Sequence, residues 1–191
     1  IPKNINNLWA PVLSFLLLII ILGIPHTLNK FDIYSPYQIL TVDLSDKKTV
    51  VVKTSNLFFQ KIYNFRDTHD RISNNLIQKR ETSRVSTSIY ERYNLPYKFN
   101  EKLDNVMIVG SGTGNDVAVA LKNNAKHIDA VEIDPAIYHL GEILHPLNPY
   151  QSNKVSVEVK DARSFIRDTN RLYDLIVYGL LDSHTMLSGL S

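Results

Sequence analysis

The pattern of hydrophobic and polar positions divides the chain into three parts. An uncharged run, Leu8 to Pro25, is followed by short β-rich runs between Asp32 and Asn64. From Lys102 onward, short apolar runs alternate with helix-like stretches. This alternation is typical of a parallel sheet with helices on its faces. We therefore predict an α/β fold in which a small antiparallel β domain precedes a Rossmann-type, doubly wound parallel sheet.

The parallel part is predicted to contain four strands and three helices. The strands are expected at 106–110, 128–133, 155–159 and 173–178, and the helices at 115–122, 135–144 and 162–168. Right-handed crossovers would place the strands in the order 3-2-1-4. The ligand cleft would then lie over the tips of strands 1 and 4. Because such a sheet normally has more strands, we expect it to be truncated after the fourth.

The run from Leu8 to Pro25 predicts a transmembrane helix. Its 18 uncharged residues would span about 27 Å as a helix, close to the ~30 Å hydrocarbon core of a bilayer. A signal peptide and a buried helix of a soluble core are the alternatives. Lys3 precedes the run, whereas Lys30, Lys47 and Lys48 follow it, which places the α/β part in the cytoplasm.

The remaining patterns complete the predicted domain division. Strands are expected at Gln38 to Leu44, Thr49 to Lys53 and Leu57 to Tyr63, followed by one or two helices between Arg66 and Tyr93. The chain then has three predicted parts. Residues 1–30 form a transmembrane helix with its flanks, and residues 31–100 form a small β-sheet domain with a following helix. Residues 101–191 form an incomplete nucleotide-binding domain. The chain starts without methionine and stops soon after the fourth strand, so we expect a fragment of a longer protein.

Composition excludes several classes of function. The formal net charge of +2, with basic and acidic residues interspersed, does not favour a nucleic-acid partner. The chain has no cysteine, which excludes disulfides, thiolate metal sites and a cysteine nucleophile. No spacing of His, Asp and Glu resembles a metal site. His69 and His145 are interpreted as structural residues.

A glycine loop carries the main chemical signal. Gly110, Gly112 and Gly114 lie between the first predicted strand and helix of the parallel part. Glycines at such a turn let the backbone adopt positive φ and approach a ligand closely. A dinucleotide fingerprint would need its third glycine at position 115, which is Asn115. The GxGxG spacing instead favours an S-adenosyl ligand, which has no pyrophosphate.

Two acids at neighbouring strand tips support a nucleoside. Glu132 lies near the end of the second strand, where a carboxylate can accept two ribose hydroxyls. Asp161 follows the third strand and is placed to accept from an adenine amino group. Arg163 beside it is interpreted either as an ion-pair partner or as a ligand contact. The alternative for the glycine motif alone is an ordinary strand–helix turn.

Six motifs in order resemble those of spermidine synthase-like proteins. They are SPYQ at 35–38, GSGTG at 110–114, VEIDP at 131–135, HP at 145–146, DAR at 161–163 and YDLIV at 173–177. The resemblance is to the membrane-fused branch and covers roughly residues 31 to 185. It implies that the loop glycines, Glu132 and Asp161 hold an S-adenosyl group, and that Gln38 reaches it from the N-terminal sheet.

The chain departs from this family pattern where the acceptor amine would bind. The stretch FFQKIYNF at 58–65 lacks the acids of the family's D-x-x-Y-H-E segment, and Thr113 stands where the glycine loop usually has Asp. The family's proton-accepting Asp aligns with Gly179. Asp182 is the surviving acid and the candidate base for an attacking amine. Asp182 or Ser183 could equally cap a helix, and His184 is interpreted as a surface or capping residue.

These observations predict an S-adenosyl-binding transferase that is similar to spermidine synthase. The donor would be S-adenosylmethionine or its decarboxylated form, and the acceptor a small amine receiving an aminopropyl or related alkyl group. A methyltransferase is the first alternative. A ligand-sensing domain of a membrane protein, without turnover, is the second.

Overall fold

The computed structural model describes residues 11–17, 29–46, 49–54, 57–66 and 89–179. Within these residues it contains two four-stranded sheets. One is antiparallel and lies in the N-terminal part of the chain, and the other is parallel and carries helices. The predicted α/β architecture is therefore confirmed for the described residues.

The N-terminal sheet is a meander of neighbouring strands. It consists of β1 (Lys30–Tyr34), β2 (Ile39–Asp46), β3 (Thr49–Thr54) and β4 (Leu57–Ile62), each paired antiparallel with the next. Leu40 and Val42 alternate with polar residues along β2, and both are fully buried together with Val52 of β3. They form one core cluster with Ile137 and Leu140, which lie in a helix of the parallel part. The face of this sheet is thus covered by the second half of the molecule.

The parallel sheet has the predicted strand order. Its strands are β5 (Asn105–Val109), β6 (His127–Glu132), β7 (Val155–Val159) and β8 (Leu175–Tyr178), arranged β7-β6-β5-β8. Counted along this part of the chain, that is the order 3-2-1-4. All three pairings are parallel, so the four carboxyl ends meet at one edge. The glycine loop and the strand-tip acids therefore share that edge.

Three helices connect the parallel strands. They are α1 (Asn115–Lys122), α2 (Pro135–Leu144) and α3 (Ala162–Asp168), with the same limits as predicted. Asp134 caps α2 by accepting from the Ala136 amide, and proline at the first helical position suits the fixed φ of that residue. Residues 89–94 are also helical, and 3-10 turns occur at Leu95–Phe99 and Pro149–Gln151.

The main core lies between the parallel sheet and α1. Val106 and Ile108 of β5 and Ile128 of β6 are fully buried, and they cluster with Val117 and Val119 of α1. Burial of each such side chain contributes about 1.5–3 kcal/mol. Aromatic residues from both parts of the chain extend this core, namely Tyr63, Phe65, Tyr90 and Tyr97. The N-terminal segment and the Rossmann-type part therefore share one hydrophobic core.

Only part of the predicted N-terminal span falls within the described residues. Residues 11–17 are helical, and the rest of the run from 8 to 25 lies outside the described residues. In the ranges that the structure describes, no helix is both long and apolar enough to cross a membrane. One or two helices were predicted between Arg66 and Tyr93. Residues 89–93 are helical, and residues 67–88 lie outside the residues that the structure describes.

Candidate functional site

The glycine loop joins β5 to α1 through three left-handed residues. Gly110, Gly112 and Gly114 have φ values of 71°, 58° and 96°. Residues with a side chain rarely adopt such angles, which cost glycine little. The predicted positive φ is therefore confirmed at all three positions, and Gly114 is also the residue that caps α1.

All five backbone N–H groups of the loop donate to acceptors of the protein itself. Gly110 and Ser111 donate to the Val131 carbonyl, and Gly114 donates to that of Ser111. Gly112 donates to Glu132 and Thr113 to Gln60. A pyrophosphate needs free N–H groups at such a turn. The loop offers it none, which agrees with the spacing argument against a dinucleotide.

Glu132 lies at the end of β6, directly beside the loop. Its Oε2 accepts from the Gly112 amide at 2.8 Å, and its Oε1 accepts from the Asp134 amide at 2.9 Å. The side chain is only 6% exposed, and burial raises the pKa of its carboxyl against the lowering effect of these bonds. The Ile133 amide is a third backbone donor to this carboxylate. A carboxylate has about four acceptor sites, so one remains for a ligand hydroxyl. The predicted binding of two ribose hydroxyls stays a prediction.

Asp161 caps α3 at the neighbouring strand tip. Its carboxylate accepts from the Arg163 amide at 2.8 Å and the Ser164 amide at 3.2 Å. The Arg163 guanidinium donates to it at 3.1 Å, and these bonds, with that from Arg163 first, lower the pKa of Asp161. Arg163 is therefore an ion-pair partner. The predicted contact from Asp161 to adenine stays a prediction, and its carboxylate remains partly exposed.

Apolar side chains stand beside both acids. Ile133 follows Glu132 and is 40% exposed, and Val159 ends β7 and is 44% exposed. Glu132 and Val159 are register partners across the two strands. Exposed apolar surface at this edge can pack against a flat base. The strand limits alone did not reveal that these two residues would remain exposed.

Gln38 reaches the site through another protein residue. Its Nε2 donates to Asp134 Oδ2 at 3.3 Å, and its Oε1 accepts from the Thr54 hydroxyl at 3.0 Å. Both ends of the amide are thus engaged by the protein. The contact to an S-adenosyl group that the family resemblance implies stays a prediction.

Two further side chains hold the loop, and sequence reasoning missed both. Gln60 Oε1 on β4 accepts from the amide and the hydroxyl of Thr113, each at 3.0 Å. The Tyr150 hydroxyl donates to the Gly112 carbonyl at 2.7 Å. A Cβ on Gly112 would lie 2.7 Å from Gln60 Oε1, so the amide covers the glycine closely. The only available signal for Gln60 was its polarity after the two phenylalanines of the run FFQKI, where the next residue, Lys61, is also polar.

Gly179, at the end of β8, approaches the loop from the other side. Its amide donates to the Val109 carbonyl at 2.8 Å. A Cβ at this position would lie 2.4 Å from the Gly110 carbonyl oxygen, far inside contact distance. The backbone as it stands therefore accommodates only glycine. No side chain from position 179 can enter the cleft without displacing the loop.

The candidate base is not among these residues. Asp182, Ser183 and His184 lie outside the described residues. Within the described ranges, no group of three or more His, Cys, Asp or Glu side chains is arranged to hold a metal ion. His145 is buried, its Nδ1 accepts from the Leu147 amide, and burial lowers its pKa to about 4. The neutral ring is consistent with the predicted structural role.

The match to a known protein family agrees with this geometry. Residues 89–189, more than half of the 191-residue chain, match the spermine/spermidine synthase domain. The chain belongs to the spermine/spermidine synthase family. The family resemblance inferred from the motifs is thereby confirmed, whereas the membrane-fused branch stays a prediction.

Curated relatives in this family are polyamine aminopropyltransferases. That of Alkaliphilus metalliredigens is 30% identical over 91 residues, which are 46% of this chain and 32% of the relative. That of Oceanobacillus iheyensis is 35% identical over 88 residues, which are 43% of this chain and 17% of the relative. The matched stretch thus spans about a third or less of each of these relatives.

Solved spermidine synthases have the same fold. The enzyme from Thermotoga maritima superposes with a TM-score of 0.55 at 12% identity, over 77% of this chain and 47% of that chain. A spermidine synthase in complex with the transition-state analogue AdoDATO superposes with a TM-score of 0.57 at 13% identity, over 78% of this chain and 47% of that chain. The chain spans about half the length of these spermidine synthases.

The motif resemblance described above bears on Gly179. In the motif alignment, this is the position of the family's proton-accepting Asp, and here the backbone excludes a side chain. The position of the loop acid is Thr113, which is buried against Gln60. Both departures replace a carboxylate by an uncharged group at the edge of the cleft. By the motif resemblance, the chain keeps the residues expected to hold the nucleoside and departs at those expected to hold the acceptor, and both roles stay predictions.

Proposed function

We propose that this chain binds an S-adenosyl donor and transfers an aminopropyl or related alkyl group from it to a small amine. One observation carries the proposal: the glycine loop lies beside Glu132 with all five of its N–H groups occupied. Such a loop places a carboxylate where it can accept ribose hydroxyls, and the loop itself has no free N–H group for a pyrophosphate. The polyamine aminopropyltransferase relatives support the aminopropyl group.

The chemistry is an in-line displacement at carbon. The amine nitrogen forms a bond to the carbon next to sulfur, the carbon–sulfur bond breaks, and its electron pair returns to sulfur as a neutral thioether. A protonated amine has no electron pair for this attack, so it must first lose one proton to a base. The protein chiefly aligns the reactants, which is worth up to about 7–11 kcal/mol of the barrier. An amine with an ordinary pKa near ~10 needs a base within hydrogen-bond reach, and Asp182 is our candidate.

The donor would lie across the carboxyl ends of the parallel strands. Glu132 would accept the ribose hydroxyls, Asp161 the adenine amino group, and Ile133 with Val159 would pack against the base. The reacting sulfonium would then face the loop and the tip of β8. Decarboxylated S-adenosylmethionine is the donor that delivers an aminopropyl group.

A methyltransferase is the second candidate, and the Gly179 backbone favours it. The position aligned with the proton-accepting Asp has no room for a carboxylate, so amine deprotonation there depends on another residue. A methyl acceptor that needs no base would avoid this requirement. In that case S-adenosylmethionine itself is the donor.

Titration calorimetry of the full chain with each donor separately tests these proposals. Tighter binding of decarboxylated S-adenosylmethionine, followed by an aminopropyl mass increase on putrescine, is the result expected for aminopropyl transfer. Tighter binding of S-adenosylmethionine and a methylated acceptor would favour the alternative. Binding of either donor without any product would favour a ligand sensor. Absence of binding to both would refute the proposed site.

We also propose that the run from residue 8 to 25 anchors the protein in a membrane, with the α/β part in the cytoplasm. The support is the uncharged length of the run and the lysines that follow it. In residues 11–17, the large apolar side chains of Val12, Leu13, Phe15, Leu16 and Leu17 are each more than half exposed. Alkaline carbonate extraction of expressing cells tests this. The full chain should stay in the membrane pellet, and a variant without residues 1–28 should be released.

A further inference from the structure

The Ser35–Gln38 turn between β1 and β2 is fastened to one buried carboxylate. Asp134 is 1% exposed, and its Oδ2 accepts from the Ser35 hydroxyl at 2.7 Å and from Gln38 Nε2 at 3.3 Å. Its Oδ1 accepts from the Ala136 amide and caps α2. Ser35 also closes the turn, because its hydroxyl oxygen accepts from the amides of residues 37 and 38. The turn and Asp134 therefore fix each other in place.

The same residue supports the nucleoside acceptor. The Asp134 backbone amide donates to Glu132 Oε1 at 2.9 Å, and the Gly112 amide donates to the other oxygen at 2.8 Å. Glu132 is thus held between the glycine loop and the residue that the N-terminal sheet fastens. A continuous series of bonds leads from Ser35 through Asp134 and Glu132 to the loop.

We propose that Asp134 is a positioning residue that couples docking of the Ser35–Gln38 turn to the orientation of Glu132. The N-terminal sheet would in this way contribute to binding the S-adenosyl ligand without Ser35 or Asp134 touching it. This inference rests on the proposed function, because Glu132 is taken as the ribose acceptor. Neither residue carried a predicted role in the site.

The physical basis is the strict geometry that a carboxylate needs to accept two hydroxyls. Binding groups must be held within about 0.5 Å and 10–20° by their supporting residues. The charge of Asp134 is buried, and hydrogen bonds to charged groups are stronger than neutral ones. Without the Ser35 hydroxyl, Oδ2 keeps only the longer bond from Gln38. The Asp134 side chain, and with it the backbone donor to Glu132, is then held only by the cap to Ala136 and the longer bond from Gln38.

A set of matched variants separates this coupling from a general loss of stability. Ser35→Ala removes the hydroxyl, and Ser35→Thr retains one. The control is Thr41→Ala, which removes a 2.7 Å hydroxyl–carboxylate bond to Asp32 in the same sheet, away from Asp134. Calorimetry with decarboxylated S-adenosylmethionine and with S-adenosylmethionine gives the affinity. Hydrogen–deuterium exchange of the peptide covering residues 110–114, without ligand, gives the state of the loop.

Ser35→Ala should weaken binding of the preferred donor about tenfold, within the usual range of coupling between sites, and should accelerate exchange of the loop peptide. Ser35→Thr should stay within about twofold of the wild-type affinity, and Thr41→Ala should change neither readout. Equal effects of Ser35→Ala and Thr41→Ala would overturn the coupling. So would unchanged loop exchange in Ser35→Ala. If loop exchange responds as expected while the wild type binds neither donor, the proposed function fails and the coupling stands.

Discussion

Asp116 is a buried carboxylate at the second position of α1, the helix that follows the glycine loop. Replacing it with Asn should stabilise the protein at neutral pH. It is 9% exposed, and burial raises the pKa of its carboxyl to about 6, against a smaller lowering by its own backbone amide. Its surroundings include Tyr93 and Tyr97. Burial raises their pKa values first, and the charge of Asp116 raises them further.

The sign and size of the effect follow from linkage. Asp116 in the unfolded chain has the ordinary pKa of 3.8, so between about pH 4 and 6 the folded state holds a proton that the unfolded state has lost. The stability that this proton gives is fully present below pH 4 and is lost as the pH rises through about 6. The shift of roughly two units corresponds to about 3 kcal/mol at 1.36 kcal/mol per unit. Asn carries no charge and avoids this penalty, although it also loses a favourable helix-dipole interaction of about 0.3–1 kcal/mol.

Urea unfolding of the wild type and Asp116→Asn between pH 4.5 and 8 tests the reasoning. The variant should gain up to about 2–3 kcal/mol in free energy of unfolding above pH 7 and little near pH 4.5. Asp174→Asn is the control of opposite sign. The pKa of Asp174 is lowered, chiefly by its bond from the Asn105 amide, so its loss should destabilise the protein above pH 4. Parallel pH profiles of Asp116→Asn and wild type would refute the account of Asp116.

Three other predictions concern the site. Glu132→Ala removes the proposed ribose acceptor and should weaken binding of the S-adenosyl donor in calorimetry by about tenfold or more, because hydrogen bonds to a charged group contribute about 1.5–3 kcal/mol each. An unchanged affinity would argue against the assigned pocket. Gly179→Ala places a Cβ 2.4 Å from the Gly110 carbonyl oxygen and should lower the free energy of unfolding by about 1–3 kcal/mol. An unchanged midpoint of urea unfolding would contradict that contact. Asp182→Asn should abolish product formation in the mass assay if Asp182 is the base, whereas retained turnover would leave it as a helix cap.

The fold of the parallel part could be predicted almost completely from local signals. Glycines, Pro135 and the two prolines after α2 mark element ends chemically, and all three helix limits are as predicted. The strands at 105–109 and 127–132 begin and end one residue earlier than predicted, and β8 starts at residue 175 rather than 173. Strand ends depend on pairing with neighbours, which a single apolar run does not specify.

The small sheet was predicted less completely. Its antiparallel nature is confirmed, but β1 was not recognised as a separate strand. The run KFDIY is short and mostly exposed, so its hydrophobic alternation is weak. Its place in the sheet comes from pairing with β2, which is information that lies outside the run itself.

The candidate site was predictable only where its residues are close in sequence or at neighbouring strand tips. The loop glycines and Glu132 meet as expected because β5 and β6 are adjacent and parallel. Gln60 and Thr113 are 53 positions apart, and no spacing rule links them. Likewise, the partner of Gln38 is Asp134, which the sequence marked only as the residue before a helix.

The glycine loop is held by side chains from separate segments of the chain, which limits how the protein can be truncated for expression. Gln60 comes from the N-terminal sheet, Glu132 from β6 and Tyr150 from the turn after α2. Expression of residues 101–191 alone, the predicted nucleotide-binding domain, would remove Gln60 and leave the Thr113 amide without its acceptor. Truncation at this apparent boundary would therefore damage the very pocket that the shorter polypeptide was meant to isolate.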